Sequence, residues 1–108
     1  MQTLAGQLER HVSVDAREAS DLATIRAFVA QHREPFARSH LAAHVTGSAF
    51  VVSHDGARVL LVHHRRLDLW LQPGGHGEPG EVDAADVALR EAREETGIPS
   101  LVLHPAAP

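Results

Sequence analysis

With 108 residues, 44% of them hydrophobic, and a formal net charge of -4, the chain has the composition of one globular domain. Its acidic balance and 4% aromatic content exclude a general phosphate-backbone binder and a base-stacking platform. With no cysteine there is no disulfide framework, thiolate zinc site or cysteine nucleophile.

A chain of this size can bury roughly 60–70% of the surface its unfolded form exposes, so a real core is expected. No apolar run approaches the roughly 20 residues that span a bilayer. The first ten residues lack the basic-then-apolar form of a signal peptide. The expectation is a cytoplasmic protein with no membrane partner.

Residues 1–40 read as an N-terminal helical segment. Leu22, Ile25, Phe28 and Val29 recur at helical spacing, and Ala23, Ala27 and Ala30 favour the same state. Pro35 predicts a stop near Arg33 or Glu34. Ahead of that, Leu4 to His11 reads as a shorter helix. The simplest role is an amphipathic helix packed on a sheet.

Residues 44–53 turn β-branched and apolar, and His54-Asp55-Gly56-Ala57 is a hairpin turn signal. Arg58 to His63 makes the returning strand, whose continuous apolar centre predicts burial on both faces. Leu69-Trp70-Leu71 is a third extended piece that runs into Gln72-Pro73-Gly74-Gly75, with Trp70 expected in the core or at a pocket edge. A further strand is expected from Ser100 to His104. Such a strand with no following partner would leave backbone groups unpaired, so the domain is expected to be truncated there. An exposed sheet edge would favour pairing as a homodimer.

Between these strands the spacing predicts a helix from Ala84 to Thr96. Asp83 is its N-cap, Asp86 sits in the capping-box position, Gly97 suits the left-handed C′ position, and Pro99 prevents continuation. On a wheel, Ala84, Ala85, Ala88, Leu89 and Ala92 form one small apolar face. Glu91, Glu94 and Glu95 fall within a single arc beside it. Like charges three or four apart cost a helix roughly 0.2–0.5 kcal/mol per pair. Acids in the last turn cost roughly 0.3–1 kcal/mol each against the macrodipole. Arg90 pairs with Glu94 at i,i+4, yet one guanidinium does not neutralise three carboxylates. A solvated acidic face is the plain alternative. The preceding Gly74-Gly75 loop, whose bare backbone can approach a ligand, favours a hard divalent cation.

These residues resemble the Nudix box, G-x5-E-x7-R-E-U-x-E-E-x-G-U with U aliphatic. Gly75 and Glu81 match its first part and Arg90 to Ile98 its second, so residues 75–98 form the box. One departure is clear: eight residues rather than seven separate Glu81 from Arg90. The extra residue lies near Val82-Asp83 and leaves the role of Glu81 open. The strand pattern extends the likeness to residues 43–104, within a segment 41–108 that reads as the N-terminal half of a Nudix-like domain. The resemblance implies an α/β (α+β) fold, a mixed sheet flanked by helices, incomplete at the C-terminus. It also implies hydrolysis of a diphosphate linkage in a nucleoside diphosphate derivative, assisted by Mg²⁺ or Mn²⁺. By motif position Glu91, Glu94, Glu95 and the Gly75 backbone carbonyl would be metal ligands. Glu91 and Glu94 would be catalytic, one of them as base, and Arg90 would orient Glu94. Gly74, Gly75 and His76 would meet the small-molecule nucleotide. The rival reading is a truncated, catalytically inactive fragment or nucleotide-binding module.

The remaining candidates read as structural. Nine histidines, among them His63-His64 and His76, show no zinc spacing. Arg65 and Arg66 read as a solvated turn, and Ser48 and Ser53 have no triad context.

Overall fold

Two N-terminal helices open the chain, each held by a side-chain cap. The structure, a computed structural model, describes residues 3–38 and 43–105. The expected boundary at residues 40 and 41 therefore lies outside the described residues. Helix α1 spans Leu4–Arg10, and the Thr3 hydroxyl accepts from the Gly6 N–H at 3.2 Å. Helix α2 spans Ala16–Gln31, with Asp15 accepting from the Glu18 N–H at 2.8 Å. It ends two residues before Arg33, ahead of Pro35 as expected.

The partner of α2 is α1 rather than a sheet. Arg26 of α2 donates to the Leu8 carbonyl at 3.0 and 2.5 Å and to that of Glu9 at 3.2 Å. One guanidinium thereby serves the carbonyls that the end of α1 leaves without intrahelical donors. The expected apolar stripe is only partly used. Leu22 is buried, Phe28 and Val29 are half-buried, and Ile25 is exposed.

Six short strands follow: β1 Thr46–Ser48, β2 Val51–Val52, β3 Val59–Leu60, β4 Val62–His64, β5 Leu69–Leu71 and β6 Gly74–His76. They form three antiparallel pairs, β1 with β6, β2 with β3 and β4 with β5. With helix α3, Ala84–Thr96, the described chain is α+β, as expected. Turn chemistry closes the β2–β3 hairpin. Asp55 accepts from the Ser53 hydroxyl and the Ala57 N–H, and Gly56 takes φ +73.

Three strand expectations need correction. The run from Arg58 to His63 is not buried on both faces: Val59 and Leu61 are exposed, because each described strand pairs with only one neighbour. Ser100 to His104 forms no strand, and the Leu101 carbonyl is taken by Arg93 of α3 at 2.7 and 3.1 Å. Trp70 is 66% exposed, its ring tilted over His63 at 5.0 Å.

The core joins both ends of the chain. Leu4, Phe36 and Val87 cluster together, with Leu8, Val29, Val45 and Ala84 packed around them. Backbone hydrogen bonds tie the same pieces, from the Leu4 N–H to the Val82 carbonyl (3.1 Å) and from the Val45 N–H to the Pro35 carbonyl (2.7 Å). On α3 the buried face is Val87, Ala88 and Ala92. Val87, fully buried, is not on the apolar face drawn on the wheel: at about 100° per residue it lies beyond the Ala84 edge, so the buried face is rotated toward it and away from Leu89. Strand β1 crosses this face at Gly47, where a Cβ would come within 2.8 Å of the Ala88 nitrogen and 2.9 Å of the Ala84 carbonyl oxygen. Only a glycine lets the strand lie so close, and that contact sets the height of β6 above the helix.

Candidate active site

Helix α3 presents its acids because both of its ends are fixed. Asp83 caps the start by accepting from the Ala85 N–H at 2.9 Å. Gly97 closes the end at φ 71, its N–H donating to the Arg93 carbonyl at 3.0 Å. Strand β6 runs antiparallel to β1, with Gly75 opposite Gly47 and His76 opposite Thr46. The Gly74-Gly75 backbone is thus carried across the acidic side of the helix.

At Gly75 the approach is closest. A Cβ there would lie 2.5 Å from the Glu91 Cδ and 2.7 Å from each carboxylate oxygen. The Glu91 carboxyl therefore rests in the space a side chain would fill. Its side chain is only 16% exposed.

Arg90 gathers the acids around one cation. It donates to Glu81 from Nε (3.1 and 3.3 Å) and Nη2 (2.9 Å), and to the His76 carbonyl from Nη2 at 2.7 Å. Its Nη1 reaches Glu91 at 3.1 Å and both oxygens of Glu94 at 3.2 and 3.3 Å. Glu78 lies 3.5 Å from the same nitrogen. Glu81 is the main cause that raises the Arg90 pKa beyond the ordinary arginine range, with Glu91 and Glu94 adding to it. In return, the Arg90 hydrogen bond holds the Glu81 carboxyl below the usual carboxylate range, although burial opposes it.

The expected site residues are thus partly assembled. Glu91 and Glu94 meet at Arg90, the expected i,i+4 pair is formed, and Gly75 lies against Glu91. Glu95 stands apart, exposed, on a recess of about 400 Å³ that Gly74, Gln72, His63, His64 and Arg65 also line. Among the described residues no three histidine or acidic side chains converge as a metal-holding group. His76 is half-buried in β6, where it shares a 2.8 Å hydrogen bond with His44. Burial holds its imidazole below the ordinary value, with Arg38 and His44 adding repulsion and Glu91 opposing them.

Two participants, Glu78 and His44, were not singled out from sequence, and the role of a third, the box residue Glu81, was left open. Glu81, left open because of the extra residue, is the principal anchor of Arg90, and Glu78 stands beside it. His44, 32 residues before His76, gives no local signal at all.

The donor set suits a hard divalent cation: three carboxylates and a peptide carbonyl, all oxygen. The space that Gly75 leaves for the Glu91 carboxyl is the structural observation that fits such an ion. The residues present therefore fit a metal in chemistry, with Glu91 and Glu94 held to Arg90.

Comparison with known proteins identifies the family. A family model described as NUDIX domain matches residues 43–107. The mouse (Mus musculus) protein named nucleoside diphosphate-linked moiety X motif 6 is 45% identical over 56 residues, 52% of this chain and 18% of that protein. A Bacillus subtilis (strain 168) protein carrying the provisional name 8-oxo-dGTP diphosphatase is 41% identical over 51 residues, 47% of this chain and 34% of that protein. The human (Homo sapiens) moiety X motif 6 protein is 42% identical over 62 residues, 55% of this chain and 19% of that protein. The chain thus matches about a third of these relatives' length at most, 34% in the bacterial case. The match of the family model takes in Gly75, Glu81, Arg90 and all three helix glutamates, and on it this chain belongs to the Nudix family.

Proposed function

We propose that the chain hydrolyses a diphosphate linkage in a nucleoside diphosphate derivative, with Mg²⁺ or Mn²⁺ as cofactor. The observation that carries this reading is the Glu91 carboxyl seated against the Gly75 backbone beside Arg90. The family generally uses divalent metal ions, and the relatives' names, a nucleoside diphosphate-linked moiety and 8-oxo-dGTP, point to small nucleotide substrates.

In this reading Glu91, Glu94, Glu95 and the Gly75 carbonyl hold the metal. A metal held there would screen the diphosphate charge and lower the pKa of an attacking water. Glu94, more exposed than Glu91, takes the proton from that water, and Glu91 fixes the ligand set. Arg90 is a positioning residue. It fixes Glu91 and Glu94 on one side and is fixed by Glu81 and the His76 carbonyl on the other. Gly74, Gly75 and His76 form the edge that the diphosphate passes.

One observation favours a second reading, a nucleotide-binding module without turnover. Glu91 and Glu94 are both engaged by Arg90, and among the described residues no three acidic or histidine side chains converge as a metal-holding group. One experiment separates the two. The purified chain is incubated with a panel of nucleoside diphosphate derivatives in Mg²⁺, in Mn²⁺ and in EDTA, and nucleoside monophosphate release is measured. Hydrolysis expects release only with metal, and a fall of roughly 100-fold or more in Glu94→Gln, in the range of a lost general base. Binding without release for the whole panel would establish the module and end the hydrolase reading.

A further inference from the structure

A cavity of about 670 Å³ opens between the N-terminal segment and the loop that enters α3, well within the size range of small-molecule sites. Leu4, Val29, Phe36 and Val82 give it an apolar lining. Glu81 is on its wall, whereas Glu91, Glu94 and Glu95 are not among its lining residues.

Five charged side chains line it, Arg33, Glu34, Arg38, Glu78 and Glu81. Glu78 and Glu81 are engaged by Arg90, and Glu34 has a partner of its own. Arg33 and Arg38 also line the cavity, yet neither makes a hydrogen bond or ion pair among the described residues. A turn between them, closed by the Ala37 N–H on the Glu34 carbonyl at 3.0 Å, folds this stretch so that both border the same space. An apolar floor with two uncommitted guanidiniums at its border suits a ring that carries a phosphate. The guanidinium fork matches phosphate oxygens bidentately and stays charged at any working pH.

We propose that this cavity binds a nucleoside monophosphate, its ring on the Leu4, Val29 and Phe36 floor and its phosphate on Arg33 and Arg38, at a site separate from the α3 carboxylates. The choice of a nucleoside rests on the proposed hydrolysis, which leaves a nucleoside monophosphate as product. The cavity's charge and shape do not depend on it. Occupancy would bear on the 77–82 loop, which carries the Glu81 that holds Arg90.

The test is calorimetric titration of the full chain with AMP, GMP, CMP and UMP, all in EDTA. At least one nucleotide is expected to bind at one site. Arg33→Gln with Arg38→Gln should weaken it by roughly 100-fold, about tenfold for each charge-assisted bond removed. Ala5→Phe, placed on the exposed side of α1 that borders the cavity, should block it. Glu91→Gln with Glu94→Gln should leave the affinity unchanged. No binding by any of the four, equal binding of inorganic phosphate, or indifference to the arginine pair would overturn the proposal. So would loss of binding in the double glutamate variant, which would place the nucleotide on α3. Because the titration is metal-free, it reads separately from the turnover assay, and either proposal can fail alone.

Discussion

Gly75→Ala tests the central contact of the site with a single methyl group. The glycine has no positive φ, so alanine fits its backbone, and the change should stabilise by about 0.4–1 kcal/mol through the unfolded chain. Against this, the new Cβ would stand 2.5 Å from the Glu91 Cδ, far inside contact distance. What must move is the end of a flexible side chain, so the helix and strand can stay in place. Glu91 then loses its bond to Arg90, a charge-assisted hydrogen bond worth roughly 1.5–3 kcal/mol. The net effect on folding is a loss of roughly 0.5–2.5 kcal/mol, a few degrees to about 20 °C in melting temperature at this chain length. The effect on the site is larger in kind. If Glu91 holds the metal as proposed, displacing its carboxyl should weaken Mn²⁺ binding and lower turnover by roughly 100-fold, the rate cost of a misplacement of about 1 Å. Thermal melting reports the first quantity and Mn²⁺ titration the second. A Gly75→Ala protein that is folded and binds Mn²⁺ as tightly as the parent would refute the role assigned to this contact. Gly74→Ala is the control, because its Cβ would meet the Gly47 carbonyl oxygen at 2.8 Å and the Ser48 Cα at 2.9 Å. Those are backbone atoms that cannot swing aside, so it should unfold the β1–β6 pair and lower stability far more.

Glu81→Gln removes the principal partner of Arg90 and should cost roughly 1.5–3 kcal/mol in a denaturant titration. Because the folded Glu81 carboxyl titrates below its ordinary value of 4.5, its ion pair stabilises fully above that pH. That contribution is lost as the pH falls through the folded value, so the parent should lose more stability on acidification than Glu81→Gln does. Phe36→Ala, at a side chain 4% exposed, should cost roughly 3–5 kcal/mol, and a melt unchanged within 1 °C would show that the N-terminal segment is not part of the core. Mg²⁺ at about 100 times its dissociation constant should add roughly 2.7 kcal/mol to stability, visible as a higher melting temperature that Glu91→Gln abolishes. Trp70, the one tryptophan, should emit as a solvated indole and be quenched readily by acrylamide; blue-shifted, protected emission would contradict its 66% exposure.

What could be read in advance was local. Helix α3 starts at its Asp83 cap and stops at a left-handed Gly97, both decided within a turn of the helix end. The Asp55-Gly56 turn is local for the same reason. Phe36 was not legible: it follows a helix stop, belongs to no periodic run, and reaches the core because Gly77 has no Cβ to meet it at 2.6 Å. Strand burial was misread from apolar runs alone. Val59 and Leu61 carry the composition of a central strand, yet burial also needs neighbours on both sides, which no run of residues encodes. The same reasoning applies from Ser100 to Leu103, where no ladder partner is present among the described residues and the Leu101 carbonyl takes Arg93 instead.

The charge argument at α3 changes most when these non-local contacts are included. Counted along the helix, one guanidinium faced three carboxylates. In space Arg90 faces Glu78, Glu81, Glu91 and Glu94, all within 3.5 Å, while Glu95 remains outside its reach. The cation most available to neutralise Glu91 and Glu94 is therefore already engaged by Glu81, the acid whose bidentate geometry is best. Its field is shared, and the deficit on the α3 acids is deeper than the helix alone suggested. The extra residue between Glu81 and Arg90 does not break this arrangement, because the loop at residues 77–83 takes up the slack and Gly80, at φ +89, turns it back toward the helix. A structural role alone would be served by Glu81 and Arg90 as a pair. It gives no reason for Glu91 to be pressed against a bare Gly75 or for Glu94 and Glu95 to crowd the last turn, where the helix dipole disfavours them. A divalent cation held by Glu91 and Glu94, as proposed above, would offset part of these costs, which is the support that the charge count gives to the proposed metal.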